Sequence, residues 1–153
     1  MKIVDLLHPD AIIPNLQSRS KDEALAELAD ALLKVAGDLN RSEVIDVLHE
    51  RERLGSTGIG DGVAIPHGKL KSLDSLLISF ARSADGVDFD AMDGKPAHLF
   101  FLLVAPEESV GVHLKMLARI SKILKNPAVR EQLVQASDAQ QLYQIIADEE
   151  ERF

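Results

Sequence analysis

The sequence predicts an α/β domain in which helices cover a small mixed sheet. Three observations predict it. Helical patterns occupy much of both halves of the chain, and strand-like runs lie between them. One of those runs, His98 to Val104, is continuously apolar after its first residue, as expected for a central strand covered on both faces. No repeat, linker or low-complexity tract divides the 153 residues, a length that suits one domain with its own core, so residues 1–153 are expected to form a single unit with a core over about 3–147.

Residues 1–20 read as an extended or loop start with a turn at His8-Pro9-Asp10. A helix is expected over about 21–36. Ser20 and Glu23 form a capping box, Ala24, Leu25, Leu28, Ala31, Leu32 and Val35 share one face, and Gly37 ends it. Asn40 caps a second helix over about 41–53, with Val44, Val47 and Leu48 inward. Strands are expected at Val63–Ile65, Leu76–Ala81, Val87–Phe89 and His98–Val104. A helix follows over 112–124. Asn126 then caps a turn with Pro127 at the first helical position, and Val129 and Leu133 carry that helix on. Ser137 and Gln140 box a last helix carrying Leu142, Ile145 and Ile146, and the acidic tail Asp148–Phe153 is expected to fray.

Composition excludes several functions. The formal charge is −8, from 25 acidic and 17 basic residues, and the basic residues are scattered, which disfavours nucleic acid and anionic membrane surfaces. The chain has no cysteine, so disulfides, thiolate nucleophiles and cysteine metal sites are out, and a cytoplasmic location is the expectation. The longest apolar run, Leu99–Ala105, is far too short to span a bilayer, so no membrane insertion is expected.

Residues 55–68, GSTGIGDGVAIPHG, hold five of the nine glycines, at Gly55, Gly58, Gly60, Gly62 and Gly68. Such a stretch forms a shaped loop rather than a helix, and its N–H groups can converge on an anion. Pro66 restricts the backbone before His67 and so aims its side chain, and Gly68 leaves space beside it. A neutral imidazole is a good nucleophile toward phosphorus, and phosphoryl transfer asks for positioned donors more than for a strong base. Loop amides, an arginine and a second imidazole can supply those donors, and neither a metal nor a cofactor is expected. The stretch lacks the spacing of a dinucleotide-binding loop and the lysine of a P-loop. Ser56 or Thr57 as a nucleophile with His67 as base would require a different elbow motif. A zinc site on His67 and His113 lacks any HxxxH or HExxH spacing, and His8, His49 and His98 read as structural or surface residues.

The run Gly55–Lys69 closely resembles the signature of the enzyme IIA domains of the fructose–mannitol class in the bacterial phosphotransferase system, and most of all their nitrogen-regulatory branch. The ending Leu142–Ile146 is similar to that branch too, and the resemblance extends over about 3–147. It implies a single three-layer domain, a mixed sheet between helices. It further implies phosphoryl transfer through a phosphohistidine: His67 accepts the group at its tele nitrogen from an HPr-type carrier, His113 hydrogen-bonds the phosphoryl group, and Arg51 stabilises its charge. Gly55, Ser56, Thr57, Gly58, Gly60, Gly62 and Gly68 are the expected phosphate loop. By spacing alone Arg53 competes with Arg51 for the site. Downstream, the resemblance allows regulatory targets such as potassium transporters or sensor kinases, or a separate enzyme IIB in sugar transport.

Overall fold

The computed structural model describes residues 1–153, and most of its helices start where capping chemistry places them. In chain order the elements are α1 (Ile3–Leu6), β1 (Ile12–Ile13), α2 (Lys21–Val35), α3 (Arg41–Arg53), β2 (Gly58–Gly60), β3 (Val63–Ala64), β4 (His67–Leu70), β5 (Leu77–Val87), β6 (Ala97–Pro106), α4 (Val110–Leu124), α5 (Pro127–Gln135) and α6 (Ala139–Glu150). Ser20 Oγ accepts from the Glu23 N–H at 3.2 Å, Asn40 Oδ1 from Glu43 at 3.1 Å, and Asn126 Oδ1 from Ala128 at 3.0 Å. Each satisfies an N–H that the first helical turn leaves without a partner.

The six-stranded sheet is mixed and centred on β6. β5 pairs with it antiparallel on one side. On the other side β3 and β4 lie end to end, both parallel to it, Val63 opposite Leu99 and His67 opposite Leu103. β2 and β1 form the outer edges, beside β3 and β5. Side chains of β6 alternate between two cores. Leu99, Phe101 and Leu103 enter a cluster with residues of α1, α4, α5 and α6, while Phe100, Leu102 and Val104 enter one with residues of α2 and α3. Both faces of β6 are therefore buried, as its continuous apolar run predicts, and the three-layer architecture follows.

Several boundaries differ from the expectation. Residues 1–20 contain the short helix α1 and the parallel strand β1, paired to Phe80 and Ala81, as well as the expected turn at Pro9–Ala11. Of the expected strand at Val87–Phe89 only Val87 is in a strand, as the last residue of β5, which runs through a register irregularity between Arg82 and Val87. The last helix is capped by Asp138, which accepts from Gln141 N at 2.8 Å, and Ser137 pairs with the Gln141 side chain rather than with Gln140. The tail is not frayed up to Glu150. That carboxylate is buried and accepts from Ile3 N at 2.7 Å, Val4 N at 3.0 Å and Arg119 Nε at 2.7 Å, so the acid fastens α6 to the start of α1.

Candidate functional site

His67 opens β4, directly after Pro66. Its Nδ1 lies 2.8 Å from the carbonyl oxygen of Ile65. A carbonyl only accepts, so this contact requires a proton on Nδ1 and leaves Nε2 with its lone pair in the neutral ring. Burial lowers the pKa of His67, a trend reinforced by the Arg51 charge and opposed by the Ile65 carbonyl and by Glu52. The ring is thus held uncharged at neutral pH with one defined nitrogen available.

His113 lies in the first turn of α4, only 5% exposed. Its ring stands edge-on to that of His67, 5.5 Å between centroids at 82°. Burial, then the neighbouring His67 and Lys69 charges, push its pKa down to about 4. Its Nε2 is buried and has no hydrogen-bond partner. Such an atom is costly unless a ligand or water meets it.

Both rings line a cleft of about 420 Å³ between α3, β4 and α4, together with Arg51, Gly68 and Lys69. Arg51 donates from Nη1 to the carbonyl of Gly55 at 2.8 Å. Arg53, the competing arginine, is outside the cleft, 72% exposed at its side chain and paired with Glu50. The rim is apolar and open: Leu54, Val110 and Leu114 also line the cleft and are 84%, 49% and 61% exposed.

The expected phosphate loop is only partly brought here. Gly68 lines the cleft, whereas Gly55, Ser56, Thr57, Gly58, Gly60 and Gly62 do not. Ser56 Oγ donates to the Phe89 carbonyl at 2.6 Å and accepts from the Gly58 N–H at 3.0 Å. The Thr57 N–H and hydroxyl both go to the Glu52 carboxylate. Gly60 and Gly62, with φ of 98° and 77°, form the tight turn between β2 and β3, which any side chain would strain. The glycine-rich stretch shapes the backbone leading to His67. Neither hydroxyl, of Ser56 or of Thr57, is hydrogen-bonded to His67. Gly68 also has a different reason from the expected free space: a Cβ there would lie 2.4 Å from Val47 Cγ1, so glycine lets α3 press onto β4.

His8, His49 and His98 line no part of the cleft. His8 Nδ1 accepts from Asp10 N at 3.0 Å, and His98 Nδ1 lies 2.8 Å from the Ser83 carbonyl. No three His, Cys, Asp or Glu side chains are grouped so as to hold a metal ion. Sequence reasoning missed Lys69 and Glu52. Alternation along β4 puts Lys69 on the side of His67, but only once residues 67–70 are known to be a strand.

The chain belongs to the enzyme IIA class of the phosphotransferase system: the family model described as "Phosphoenolpyruvate-dependent sugar phosphotransferase system, EIIA 2" matches residues 5–149. It is 46% identical over 147 residues to the nitrogen regulatory protein of Bradyrhizobium diazoefficiens, covering 96% of this chain and 95% of that one. It is 41% identical to the fructose-specific EIIABC component of Bacillus subtilis, covering 95% of this chain but 23% of that larger protein. The crystal structure of nitrogen regulatory protein IIA-Ntr from Neisseria meningitidis superposes with a TM-score of 0.88 at 35% identity, covering 94% of this chain and 98% of that one. No helix of this chain is long and apolar enough to cross a membrane.

Proposed function

We propose that this chain is a phosphoryl carrier that accepts a phosphoryl group on His67 Nε2 from the phosphohistidine of an HPr-type carrier and uses its phosphorylation state as a regulatory signal. The observation that carries the reading is the Nδ1 contact to Ile65. It leaves Nε2 as the nucleophile, in a cleft shared with Arg51 and His113.

In the transfer, the P–N bond of the donor breaks as the Nε2–P bond forms, and the donor imidazole keeps the electron pair. The transition state is loose and its charge spread over the phosphoryl oxygens, so positioning and cations do most of the stabilising. Arg51 supplies a guanidinium fork for those oxygens. Neutral His113, with its proton on Nε2, donates to one of them and so gains the partner it lacks in the free protein. The apolar rim of Leu54, Val110 and Leu114 gives a carrier a surface to dock on, and the docked carrier excludes water from the cleft during transfer. These residues suffice without a metal or a cofactor.

The likeness to nitrogen regulatory proteins supports the regulatory use, with potassium transporters or sensor kinases as the kind of target the sequence resemblance implies. The match to one part of a fructose-specific EIIABC protein favours a second reading, in which the group passes to a separate enzyme IIB for sugar transport. The test is incubation with enzyme I, HPr-type carriers and labelled phosphoenolpyruvate. Wild-type protein should take up acid-labile, base-stable label, and His67→Ala none; label retained by the variant would overturn the assignment. Onward transfer to an enzyme IIB would favour the second reading.

A further inference from the structure

Arg51 and Glu52 are consecutive residues in the last turn of α3, so their side chains leave the helix about 100° apart. Arg51 faces the cleft. Glu52 faces away from it: its side chain is 7% exposed, and all its contacts lie on the loop after α3 and on α2. A carboxylate so buried needs charged or hydrogen-bonding partners. It accepts from the Thr57 N–H at 3.0 Å and from the Thr57 hydroxyl, and Lys21 Nζ lies 2.9 Å away. Lys21 is itself held, 3.5 Å from Asp90 and 4.9 Å above the Phe89 ring.

The loop between these anchors is what Arg51 leans on. The Gly55 N–H donates to the backbone carbonyl of Glu52 at 3.1 Å, and the Gly55 carbonyl accepts from Arg51 Nη1 at 2.8 Å. Glu52 therefore grips the three-residue segment Gly55–Thr57 from both ends, by its backbone at Gly55 and its carboxylate at Thr57. A free arginine side chain loses rotamer entropy when it is ordered, and fixing it beforehand removes that cost from the transfer step.

We infer that Glu52 is the positioning residue for Arg51: through Thr57 and Gly55 it holds the guanidinium ready at the cleft before the phosphoryl group arrives. This rests on the proposed role of Arg51 in transfer to His67. Glu52 also sets a negative charge against that of Arg51 at His67, raising the affinity of the imidazole for protons where Arg51 lowers it. Lys21 and Asp90 stand behind Glu52, while Arg51, Lys69 and Glu50 line the cleft.

The experiment is single-turnover transfer from a phosphorylated HPr-type carrier, run on wild type, Glu52→Ala, Glu52→Gln, Arg51→Ala and the double variant Arg51→Ala/Glu52→Ala, with circular dichroism to confirm folding. Glu52→Ala should slow transfer about tenfold, a fraction of what misplacing a catalytic group can cost. Glu52→Gln keeps an oxygen for the Thr57 N–H and should recover most of that rate. In the Arg51→Ala background, removing the Glu52 side chain should change the rate less than about twofold, because the group it positions is gone. A merely structural Glu52 would slow both backgrounds equally. Equal slowing, or a wild-type rate for Glu52→Ala, would overturn the inference. Should Glu52→Ala not fold, Thr57→Val cuts one link of the same chain, and its effect must likewise vanish in the Arg51→Ala background. Wild-type protein that takes up no label at all would refute the carrier function itself, whereas a normal rate for Arg51→Ala with His67 labelled would sink this inference alone.

Discussion

At the scale of single residues, the candidate site holds two histidines kept uncharged by different means. His67 is half-buried with Nδ1 tied to a carbonyl, and His113 is nearly closed off, with Nε2 unpaired and its pKa at about 4. The second value has a consequence for stability. Unfolded, a histidine titrates near 6.5, so between 6.5 and about 4 the unfolded chain binds the proton and the fold resists it. This contribution is fully present above about pH 6.5 and is lost as pH falls toward 4. Replacing His113 with Asn, which keeps an N–H and does not titrate, should flatten that acid limb in denaturant midpoints taken from pH 7 to 4. The lowered pKa of His67 leaves a residual slope of the same sign. An unchanged acid limb in His113→Asn would contradict the assignment. That His67, Arg51 and His113 share one cleft agrees with the sequence reading, in which a long motif carried His67 and the resemblance placed Arg51 and His113 beside it. The choice of Arg51 over Arg53 was not legible from spacing, since both end the same helix; only the fold shows that Arg51 lines the cleft and Arg53 does not.

At the scale of elements, β4 decides where His67 stands. It is four residues long, contains a glycine and a lysine, and has no apolar alternation to announce it. Its pairing partner β6 lies far along the chain, so no local signal marks residues 67–70 as a strand. By contrast β6 was legible from its apolar run, and α2 and α3 from their caps, because those signals are local. The glycine stretch was legible as unusual, but what it does was not, since sequence does not say where an N–H points. Gly68 shows the point. It is the contact through which α3 seats on β4 and brings Arg51 to the cleft. Gly68→Ala puts a methyl group 2.4 Å from Val47 Cγ1, overpacking that should destabilise by about 1–3 kcal/mol in chemical denaturation. Adding Val47→Ala should restore part of the loss. A Gly68→Ala protein as stable as wild type would show that α3 and β4 are not in this contact.

At the scale of the whole molecule, two cores on either face of one sheet hold the site at the seam between them. α3 belongs to one core and α4 to the other, and β4 runs along the edge of β6 between them. That seam joins residues 51, 67 and 113 without any of their elements being neighbours by design of a local motif. The closing of the chain ends by Glu150 follows the same logic: its bond to Ile3 spans 147 positions, which no local pattern in an acidic tail reveals. The three-layer fold was legible because each layer announces itself locally; the cleft was not, because it exists only between layers. The central claim is that this assembly presents Nε2 of His67, and no other nitrogen, to phosphorus. Its most direct test is long-range ¹⁵N–¹H and ³¹P NMR on histidine-labelled protein after phosphorylation by enzyme I and an HPr-type carrier. Phosphorus bonded to Nε2 of His67, with Nδ1 still protonated toward the Ile65 carbonyl, is the predicted result. Phosphorus on Nδ1 of His67, or on any other side chain, would contradict it.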